Sequence, residues 1–448
     1  MAGGRTFLLF ICIAHFFTIN GEQLTRREAI EIIIGGGDTP SASPPPQNQN
    51  RPPPPPSPPP KRPPPPPPPS GFESSRLALV FPVIQAFKQK IKSDPKGITK
   101  TWTGTNICRD YKGFLCDVVP GYNEKALAGV KFNNFNFSGP DLTLGGFLTS
   151  LPDLVFFHAN SNNFHGPIPT DLNKLPYFYE LDLSNNRFSG TFPYQVLRAN
   201  NLQFLDLRFN GFAGTVPPEI FILNLDLLFI NNNNFVEKLP DNLGKTTALY
   251  LTMANNGFVG GIPRSIGQAS NTLLEVLFLN NKLTGCLPYE IGLLKKATVF
   301  DVGSNYLTGP IPHSFRCLTK MDILNLARNE FYGAVPEAVC GLPELSNFTV
   351  SYNYFTEVGP VCRKLIENGV LDVKMNCILD LPNQRSREDC GRFFSMTRSC
   401  PDEESMSYVP CSSKGYFGDQ LESSGMQMTA PAIAPAPVSR SYGGLSPH

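Results

Sequence analysis

Apolar residues recur through the middle of the chain in one fixed order, which can be written L-x-x-L-x-L-x-x-N-x-F-x-G-x-I-P. Clear copies run from Phe178 to Pro193, from Leu202 to Pro217 and from Met321 to Pro336. Ten such units fill residues Leu127 to Pro360, which indicates one supersecondary unit stacked many times. Their thirteenth positions are spaced by 23 to 27 residues, at Gly139, Gly166, Gly190, Gly214, Glu237, Gly260, Gly285, Gly309, Gly333 and Glu357.

The period and the residue order are those of a leucine-rich repeat. They predict an α/β solenoid, a plant-type horseshoe of about ten 24-residue repeats, in which the first, fourth and sixth residues of each unit point inward. The ninth residue is Asn in nine units, and we expect its amide to bond the turning backbone of neighbouring units. The eleventh residue predicts a stacked aromatic spine, at Phe137, Phe164, Phe188, Phe212, Phe235, Phe258, Phe331 and Phe355.

A solenoid exposes its core at both ends, so caps are expected there. Residues 72–126 are predicted to form an N-terminal helical cap, in which Pro82 starts the better part of the helix. The cysteine-rich residues 361–411 are predicted to close the other end. Residues 412–448 contain Ala-Pro dipeptides and are predicted to be disordered. The helix is predicted from apolar residues at helical spacing, namely Leu77, Leu79, Phe81, Ile84, Phe87 and Ile91.

The N-terminal residues indicate secretion. Arg5 precedes the apolar run Phe7 to Thr18, which is too short to cross a bilayer, and we interpret residues 1–21 as a signal peptide. No later stretch approaches the roughly 18 apolar residues of a membrane span. We interpret residues 22–71 as a proline-rich, extensin-like linker, because 18 of the 26 residues from Pro44 to Pro69 are proline. Such a tract is disordered or extends as polyproline II, so it predicts a semi-rigid spacer or a wall contact.

Ten cysteines remain beyond the signal peptide, and an even number in an oxidising compartment predicts disulfides. Cys108 and Cys116 are close together and isolated, so we pair them. The bonding of Cys286 and Cys317 stays open. A zinc site is not favoured, because no C-x-x-C pair accompanies the cysteines. Six more cysteines lie towards the C-terminal end, at Cys340, Cys362, Cys377, Cys390, Cys400 and Cys411.

Composition and charge exclude several classes of function. The chain has 38 Lys and Arg against 37 Asp and Glu, which argues against nucleic acid as a partner. The sequence lacks G-x-S-x-G, H-E-x-x-H and P-loop motifs, and its five histidines leave few general bases. We therefore expect a non-enzymatic protein with no cofactor and no metal.

Several motifs together resemble the plant leucine-rich repeat extensins. They are the N-terminal cap, Leu-Thr-Gly-Cys-Leu-Pro from Leu283 to Pro288, and Asn-Phe-Thr-x-Ser-x-Asn-x-Phe-Thr from Asn347 to Thr356, with the later Asn376-Cys377 and Gln384-Arg385-Ser386. The resemblance implies secretion to the cell wall and hydroxylated, arabinosylated prolines. It also implies a long C-terminal extensin domain, in whose place this sequence has the short Ala-Pro segment.

A second departure from that family is Gly261, where the resemblance leads us to expect a cysteine. Without that partner, Cys286 is expected to pair with Cys317 or to stay free.

The outward strand positions form the concave face, which is the default interaction surface of a solenoid. Five carboxylates and six aromatics expected to be exposed share it, which favours a basic peptide with apolar anchors. The resemblance implies a peptide of the rapid alkalinization factor type. The candidate ligand-binding residues are Phe156, His158, Glu180, Asp182, Phe204, Asp206, Arg208, Phe229, Tyr250, Glu275 and Asp301. The predicted concave face also includes Phe209, Asn325, Tyr352 and the bases Lys131 and Arg328.

Asn136 and Asn347 begin acceptor sequons for N-glycosylation. Asn347 is the third residue of the last unit and hence on the concave side. A glycan there would limit access to the C-terminal end, so the ligand is expected on the first seven units.

Two alternatives stay open for the function. One is a structural wall glycoprotein without a peptide ligand, held by its proline segments and by a cell-wall polysaccharide or pectin. The other is a defence protein similar to the polygalacturonase inhibitors, which use secreted repeats of the same length. A homodimer is also kept open.

Overall fold

The computed structural model describes residues 71–120, 122–401, 403–409 and 411, without the side chains of 403 and 404. The predicted signal peptide, the proline tract and the tail from residue 412 lie outside the described residues. Within those ranges the helices are α1 (Ser75–Lys90), α2 (Ile107–Asp110), α3 (Glu337–Cys340), α4 (Pro360–Glu367), α5 (Arg387–Phe394) and α6 (Glu403–Ser407).

The N-terminal cap is built on α1. The Ser74 hydroxyl accepts a hydrogen bond from the amide of Leu77, which fixes the start of the helix. Pro82 therefore lies inside the helix and does not begin it, contrary to the prediction. Val80 is buried on the core face, whereas Leu79, expected in the core, is 61% exposed.

Twelve strands of the described chain form the first sheet. β1 pairs antiparallel with β2, and every later neighbour is parallel and in register. These strands are β1 (Phe114–Val118), β2 (Lys125–Lys131), β3 (Phe156–His158), β4 (Glu180–Asp182), β6 (Phe204–Asp206), β8 (Leu227–Phe229), β10 (Tyr250–Thr252), β12 (Glu275–Leu277), β14 (Val299–Asp301), β16 (Ile323–Asn325), β18 (Asn347–Thr349) and β20 (Leu371–Asp372).

A second, parallel sheet lies on the flank of the solenoid and is called the lateral sheet below. Its strands begin just after the turn that follows each strand of the first sheet. Among the described residues they are β5 (Ser189–Thr191), β7 (Gly211–Gly214), β9 (Asn234–Lys238), β11 (Gly257–Gly260), β13 (Lys282–Cys286), β15 (Tyr306–Gly309), β17 (Glu330–Val335) and β19 (Tyr354–Val358).

Short 3-10 helices complete the N-terminal cap and the outer side of the repeats. They span Ile98–Thr101, Leu148–Ser150, Leu172–Lys174, Tyr194–Arg198, Pro218–Ile222, Leu243–Lys245, Arg264–Ala269, Tyr289–Leu293 and His313–Cys317.

The predicted asparagine column joins each repeat to its neighbours. At Asn353 the amide nitrogen donates to the carbonyls of Leu326, Val350 and Ser351, and the amide oxygen accepts from the backbone N–H of Phe331. The same pattern recurs from Asn162 to Asn329, so its structural role is confirmed.

The solenoid continues one turn beyond Pro360. Asn376 repeats the asparagine bonds, and β20 extends the first sheet. Part of the segment predicted as a cap thus follows the repeat geometry.

The phenylalanine spine fills the core behind the lateral sheet. Stacked pairs include Phe188 with Phe212 and Phe212 with Phe235, with ring centroids 6.1 and 6.4 Å apart. Leu283 and Leu307 occupy the same position in two units and are fully buried. The α/β solenoid predicted from the repeat period is therefore confirmed.

Disulfides tie the chain together over short and long distances. The predicted Cys108–Cys116 pair is present, and Cys340–Cys362 and Cys377–Cys390 are local. The expectation that Cys286 pairs with Cys317 or stays free is wrong. The two cysteines lie on different elements of adjacent turns, and each bonds a cysteine of the returning C-terminal chain, in Cys286–Cys400 and Cys317–Cys411.

Residues 386–411, called here the C-terminal strap, run back over the lateral sheet. The ring of Phe393 stacks on Tyr354 with centroids 3.5 Å apart, and the Tyr332 hydroxyl donates to the carbonyl of Arg398. Gly309 makes room for the Cys286–Cys400 bridge, because a Cβ there would lie 2.4 Å from the sulfur of Cys400.

Candidate functional site: the concave face

Register places the candidate residues in two columns on the concave face. In the first column Phe156, Glu180, Phe204 and, further along, Tyr250 and Glu275 occupy equivalent strand positions. The second column comprises His158, Asp182, Asp206, Phe229 and Asp301. Because side chains alternate across a strand, both columns face away from the core residues between them. The structure therefore brings the predicted residues onto one surface.

The acids of the second column hold the turns that follow their strands. One carboxylate oxygen of Asp182 accepts from the backbone N–H of Ser184, at 2.9 Å. Asp206 accepts in the same way from Arg208, and Asp301 from Gly303. Sequence reasoning assigned these acids to ligand binding. One feature of the sequence could have indicated their structural role. Each Asp stands two residues before a turn, a position from which its side chain commonly accepts a hydrogen bond from the turn's backbone N–H.

Most of the predicted acids are buried. Glu180, Asp182, Asp206 and Asp301 are all below a tenth exposed, and Glu275 is half-buried. Phe229, expected as an exposed aromatic, is 9% exposed, because the Arg208 guanidinium lies over its ring at 5.0 Å.

Two polar contacts join candidate residues at the N-terminal end of the face. Nε2 of His158 lies 2.7 Å from a carboxylate oxygen of Glu180, and Nε of Arg208 lies 2.9 Å from Asp206. Burial raises the pKa of Asp206 to about 8, against the opposing effect of Arg208. Burial also raises the pKa of Asp301 to about 6. These two acids therefore bear less negative charge than their number suggests.

Aromatic side chains give the face its accessible apolar area. Phe156, Phe204 and Tyr250 are each half-buried. The Phe156 ring lies across Gly129, where a Cβ would approach within 2.3 Å of the ring. His158 joins this group, with its ring centroid 4.9 Å from that of Phe156 and 6.0 Å from that of Phe204.

Three bulky residues next to the face adopt left-handed backbone conformations. Phe209, Arg328 and Tyr352 have φ values of 54°, 57° and 59°. Asn or Ser occupies the equivalent place in other repeats, as at Asn185 and Ser304. The left-handed conformation costs free energy for bulky residues such as these. The preceding strand and the asparagine column must therefore hold the turn in place.

Both predicted glycosylation sites are accessible. Asn136 and Asn347 are exposed, and Asn347 lies at the C-terminal end of the first concave column. The Thr349 hydroxyl of the same sequon donates to the Asn347 side-chain oxygen at 3.1 Å. Glycosylation itself stays a prediction.

Replacing Asp206 by Asn should flatten the pH dependence of stability. The folded-state pKa of about 8 exceeds the unfolded value near 3.9, so the folded chain holds a proton that the unfolded chain releases. This contribution is complete below pH 4 and is lost as pH rises to about 8. We expect the wild type to lose on the order of 5 kcal/mol relative to the variant over that range.

Urea unfolding at pH 4, 6 and 8 measures this difference. Asp241→Asn, at an exposed acid, is the control and should run parallel to the wild type. The prediction would be contradicted if the free energy of unfolding of Asp206→Asn also changed with pH in parallel with that of the wild type.

Among the described residues, no group of three His, Cys, Asp or Glu side chains is arranged to hold a metal ion. Nor does that part of the chain include a helix of the length and apolar character needed to span a membrane.

These features define the class: the protein is a leucine-rich repeat protein. The Leucine Rich Repeat family model matches residues 178–197 and 201–223. The chain is similar in fold to the Arabidopsis receptor kinase HAESA ectodomain, solved in complex with an N-terminally extended IDA peptide hormone ligand. That likeness has a TM-score of 0.57 and 24% identity, over 63% of this chain and 47% of that one.

Sequence relatives identify the family. Leucine-rich repeat extensin-like protein 6 of Arabidopsis thaliana is 46% identical, over 72% of this chain and 68% of its own length. Protein 7 of the same series is also 46% identical, over 73% of this chain and 75% of its own length. The chain therefore belongs to the leucine-rich repeat extensin-like family. It spans only 29% and 44% of the length of two further relatives that it matches.

Proposed function

We propose that the chain is a secreted, non-enzymatic cell-wall protein that binds a basic signalling peptide across its concave face and so contributes to wall organisation. The ligand we propose is a cysteine-rich peptide of the rapid alkalinization factor type. The observation that carries the proposal is the set of half-buried rings at Phe156, Phe204 and Tyr250 in one in-register column. Aromatic side chains dominate the binding energy of protein interfaces.

The spacing of these rings suits an extended ligand. Each ring lies two strands from the next, and neighbouring strands are about 4.8 Å apart, so the rings repeat roughly every 10 Å. A peptide laid across the strands can place an apolar side chain on each ring. Glu180 and Leu227 occupy the same column between the rings.

Electrostatics supplies a smaller part of the proposed recognition. Asp182, Asp206 and Asp301 are committed to the turns, so we assign them a structural role and no direct ligand contact. Glu275 is the half-buried acid of the first column, and burial raises its pKa. We expect it to attract a basic residue of the ligand, with charge acting mainly on the association rate.

The proposed location is supported by the disulfides and by the family. Five disulfides link the described cysteines, and such bonds persist in oxidising extracellular compartments. A glycan on the exposed Asn347 would cover the C-terminal end of the face, which agrees with a ligand on the earlier repeats.

Removing two of the rings should weaken peptide binding. Phe204→Ala with Tyr250→Ala is expected to raise the Kd for a synthetic peptide of the rapid alkalinization factor type by roughly 30-fold or more. Calorimetric titration of the secreted chain measures the change, and thermal unfolding checks that both variants fold.

The matched control is Tyr194→Ala with Tyr306→Ala, because these rings are 49% and 58% exposed and lie outside the concave columns. It should leave the Kd within twofold of the wild type. An unchanged Kd in the concave variant would remove the aromatic column from the binding site.

A further inference from the structure

The first concave column alternates raised rings with recessed side chains. Phe156, Phe204 and Tyr250 are half-buried. Glu180 and Leu227 occupy the strands between these rings and are only 3% and 7% exposed. Each successive pair of rings therefore bounds a recess with a buried side chain at its floor, and the column has two such recesses next to each other.

The two recesses differ at their floors. The first lies between Phe156 and Phe204 and has Glu180 at its floor, with Nε2 of His158 2.7 Å from the carboxylate. The second lies between Phe204 and Tyr250 and has Leu227 at its floor. The second floor is therefore apolar, and the carboxylate at the first floor already contacts a neighbouring side chain.

The spacing of the rings matches the pitch of a polyproline II helix. Neighbouring strands lie about 4.8 Å apart, so rings on every second strand are about 9.6 Å apart. A polyproline II helix rises about 3.1 Å per residue with three residues per turn, which gives about 9.3 Å per turn. Over the two intervals from Phe156 to Tyr250 the mismatch is about 0.6 Å, which is small beside the width of an aromatic ring.

Other regular ligand conformations fit this spacing less well. In a β-strand the side chains on one face repeat at about 6.8 Å, so they fall out of step with the rings after one interval. Two turns of an α-helix rise about 10.8 Å and overshoot each interval by about 1.2 Å. Ring spacing therefore favours a segment with three residues per turn.

The Tyr250 hydroxyl is an available donor beside the second recess. It makes no hydrogen bond to another residue of the described ranges, although its ring is half-buried. The backbone carbonyls of a polyproline II helix have no internal partners, so they can accept from such a donor. Grooves lined by aromatic side chains recognise this conformation because the helix is preformed and loses little entropy on binding.

Charge on the column favours a basic residue at one end of the segment. Glu275 follows Tyr250 one strand further on and is half-buried. Within the described part of the chain, no basic side chain forms an ion pair with it. Five strand spacings separate Phe156 from Glu275, about 24 Å, so a polyproline II segment of about eight residues covers the rings and reaches this acid.

We propose that the first concave column binds a proline-rich segment of a separate secreted polypeptide in the polyproline II conformation. One proline enters each recess, the Tyr250 hydroxyl donates to a carbonyl of the segment, and a basic residue lies next to Glu275. This goes beyond the proposed function, because it gives the same rings a second class of ligand. The two ligands should therefore compete.

The experiment titrates the full secreted chain with a labelled synthetic peptide of eight L-prolines followed by lysine, and fluorescence anisotropy measures the Kd. We expect saturable binding to the wild type. Phe204→Ala should raise the Kd at least tenfold, because this ring bounds both recesses. Tyr250→Phe should raise it about threefold through loss of one hydrogen bond. Absence of saturable binding, or an unchanged Kd in either variant, would overturn the proposed contacts.

A mirror-image peptide is the matched ligand control. Eight D-prolines followed by D-lysine have the same composition, charge and stiffness and the opposite helical hand. This peptide should bind at least tenfold more weakly, and equal binding would overturn recognition of the polyproline II helix.

The matched protein control is Tyr306→Ala, because this ring is 58% exposed and lies on the lateral sheet. It should leave the Kd for the L-proline peptide within twofold of the wild type. Losses as large as that in Phe204→Ala would overturn the assignment to the concave column.

Competition separates this proposal from the proposed function. Excess L-proline peptide should displace a basic peptide of the rapid alkalinization factor type, and simultaneous binding of both would overturn the shared surface. Binding of the basic peptide without binding of the proline peptide would overturn the present proposal alone. The reverse result would overturn the proposed function alone.

A deletion tests the source of the segment. Removal of Pro44–Pro69 should leave the Kd for the L-proline peptide within twofold of the wild type. A Kd at least fivefold lower would mean that the chain's own proline tract competes for the rings, and would overturn the choice of a separate polypeptide.

Discussion

Removal of the Cys286–Cys400 bridge, by replacing both cysteines with serine, should lower the free energy of unfolding by about 5 kcal/mol. The bond closes a sequence separation of 114 residues, and the chain-entropy relation gives this magnitude for a loop of that size. The C-terminal strap should also detach locally, because it then loses one of the bonds that hold it on the lateral sheet beside the Phe393–Tyr354 contact. Guanidinium unfolding measures the first effect, and limited proteolysis within residues 386–400 measures the second.

The control for this prediction is the Cys108–Cys116 bridge. Its separation is 8 residues, so the same relation predicts a loss of about 2.5 kcal/mol on replacement by serine. Proteolysis of the strap should be unchanged in that variant. If both double variants lose the same stability and the strap stays protected, the long-range bridge does not hold the strap.

Replacing Asn353 by Ala should lower the free energy of unfolding by about 4 kcal/mol. The side chain is fully buried and satisfies three carbonyls and the backbone N–H of Phe331. Its loss leaves those four groups without a partner in a water-free core, and each unsatisfied group costs about 1–3 kcal/mol before relaxation. Urea unfolding measures the change, and hydrogen exchange at Phe331 should accelerate.

Asn271→Ala is the matched control, because Asn271 is exposed on a turn between repeats. Surface substitutions of this kind usually change stability by less than about 0.5 kcal/mol. A loss below 1 kcal/mol for Asn353→Ala, or unaltered exchange at Phe331, would mean that water or a shifted backbone replaces the asparagine.

The repeat architecture was predictable because its signals are local and recur in every unit. The asparagine column and the phenylalanine spine follow directly from fixed positions in a 24-residue period, and the structure confirms both. The N-terminal helix was predicted less accurately. Helical spacing located it, but the Ser74 cap and the burial of Val80 moved its start and its core face.

The candidate face was predictable in position and poorly predictable in chemistry. Strand alternation placed Phe204 and Asp206 outward, and the register aligned them with their neighbours. Exposure depends on side chains from adjacent repeats, about 24 residues away in sequence. Arg208 covers Phe229 in this way, and the buried Asp206 lies beside Asp182 of the preceding repeat and contacts Arg208 of its own.

The sequence by itself determined the solenoid, its ladder of asparagines and its family, because each depends on residue identity at a repeated position. Tertiary structure alone decided the partners of Cys286 and Cys317, the extra turn at Asn376 and the burial of the acids. These features depend on distances between residues far apart in the chain. The strap crosses the tenth repeat, where Phe393 stacks on Tyr354, and reaches the seventh and eighth repeats, where Cys400 bonds Cys286 beside Gly309. No local pattern encodes that path.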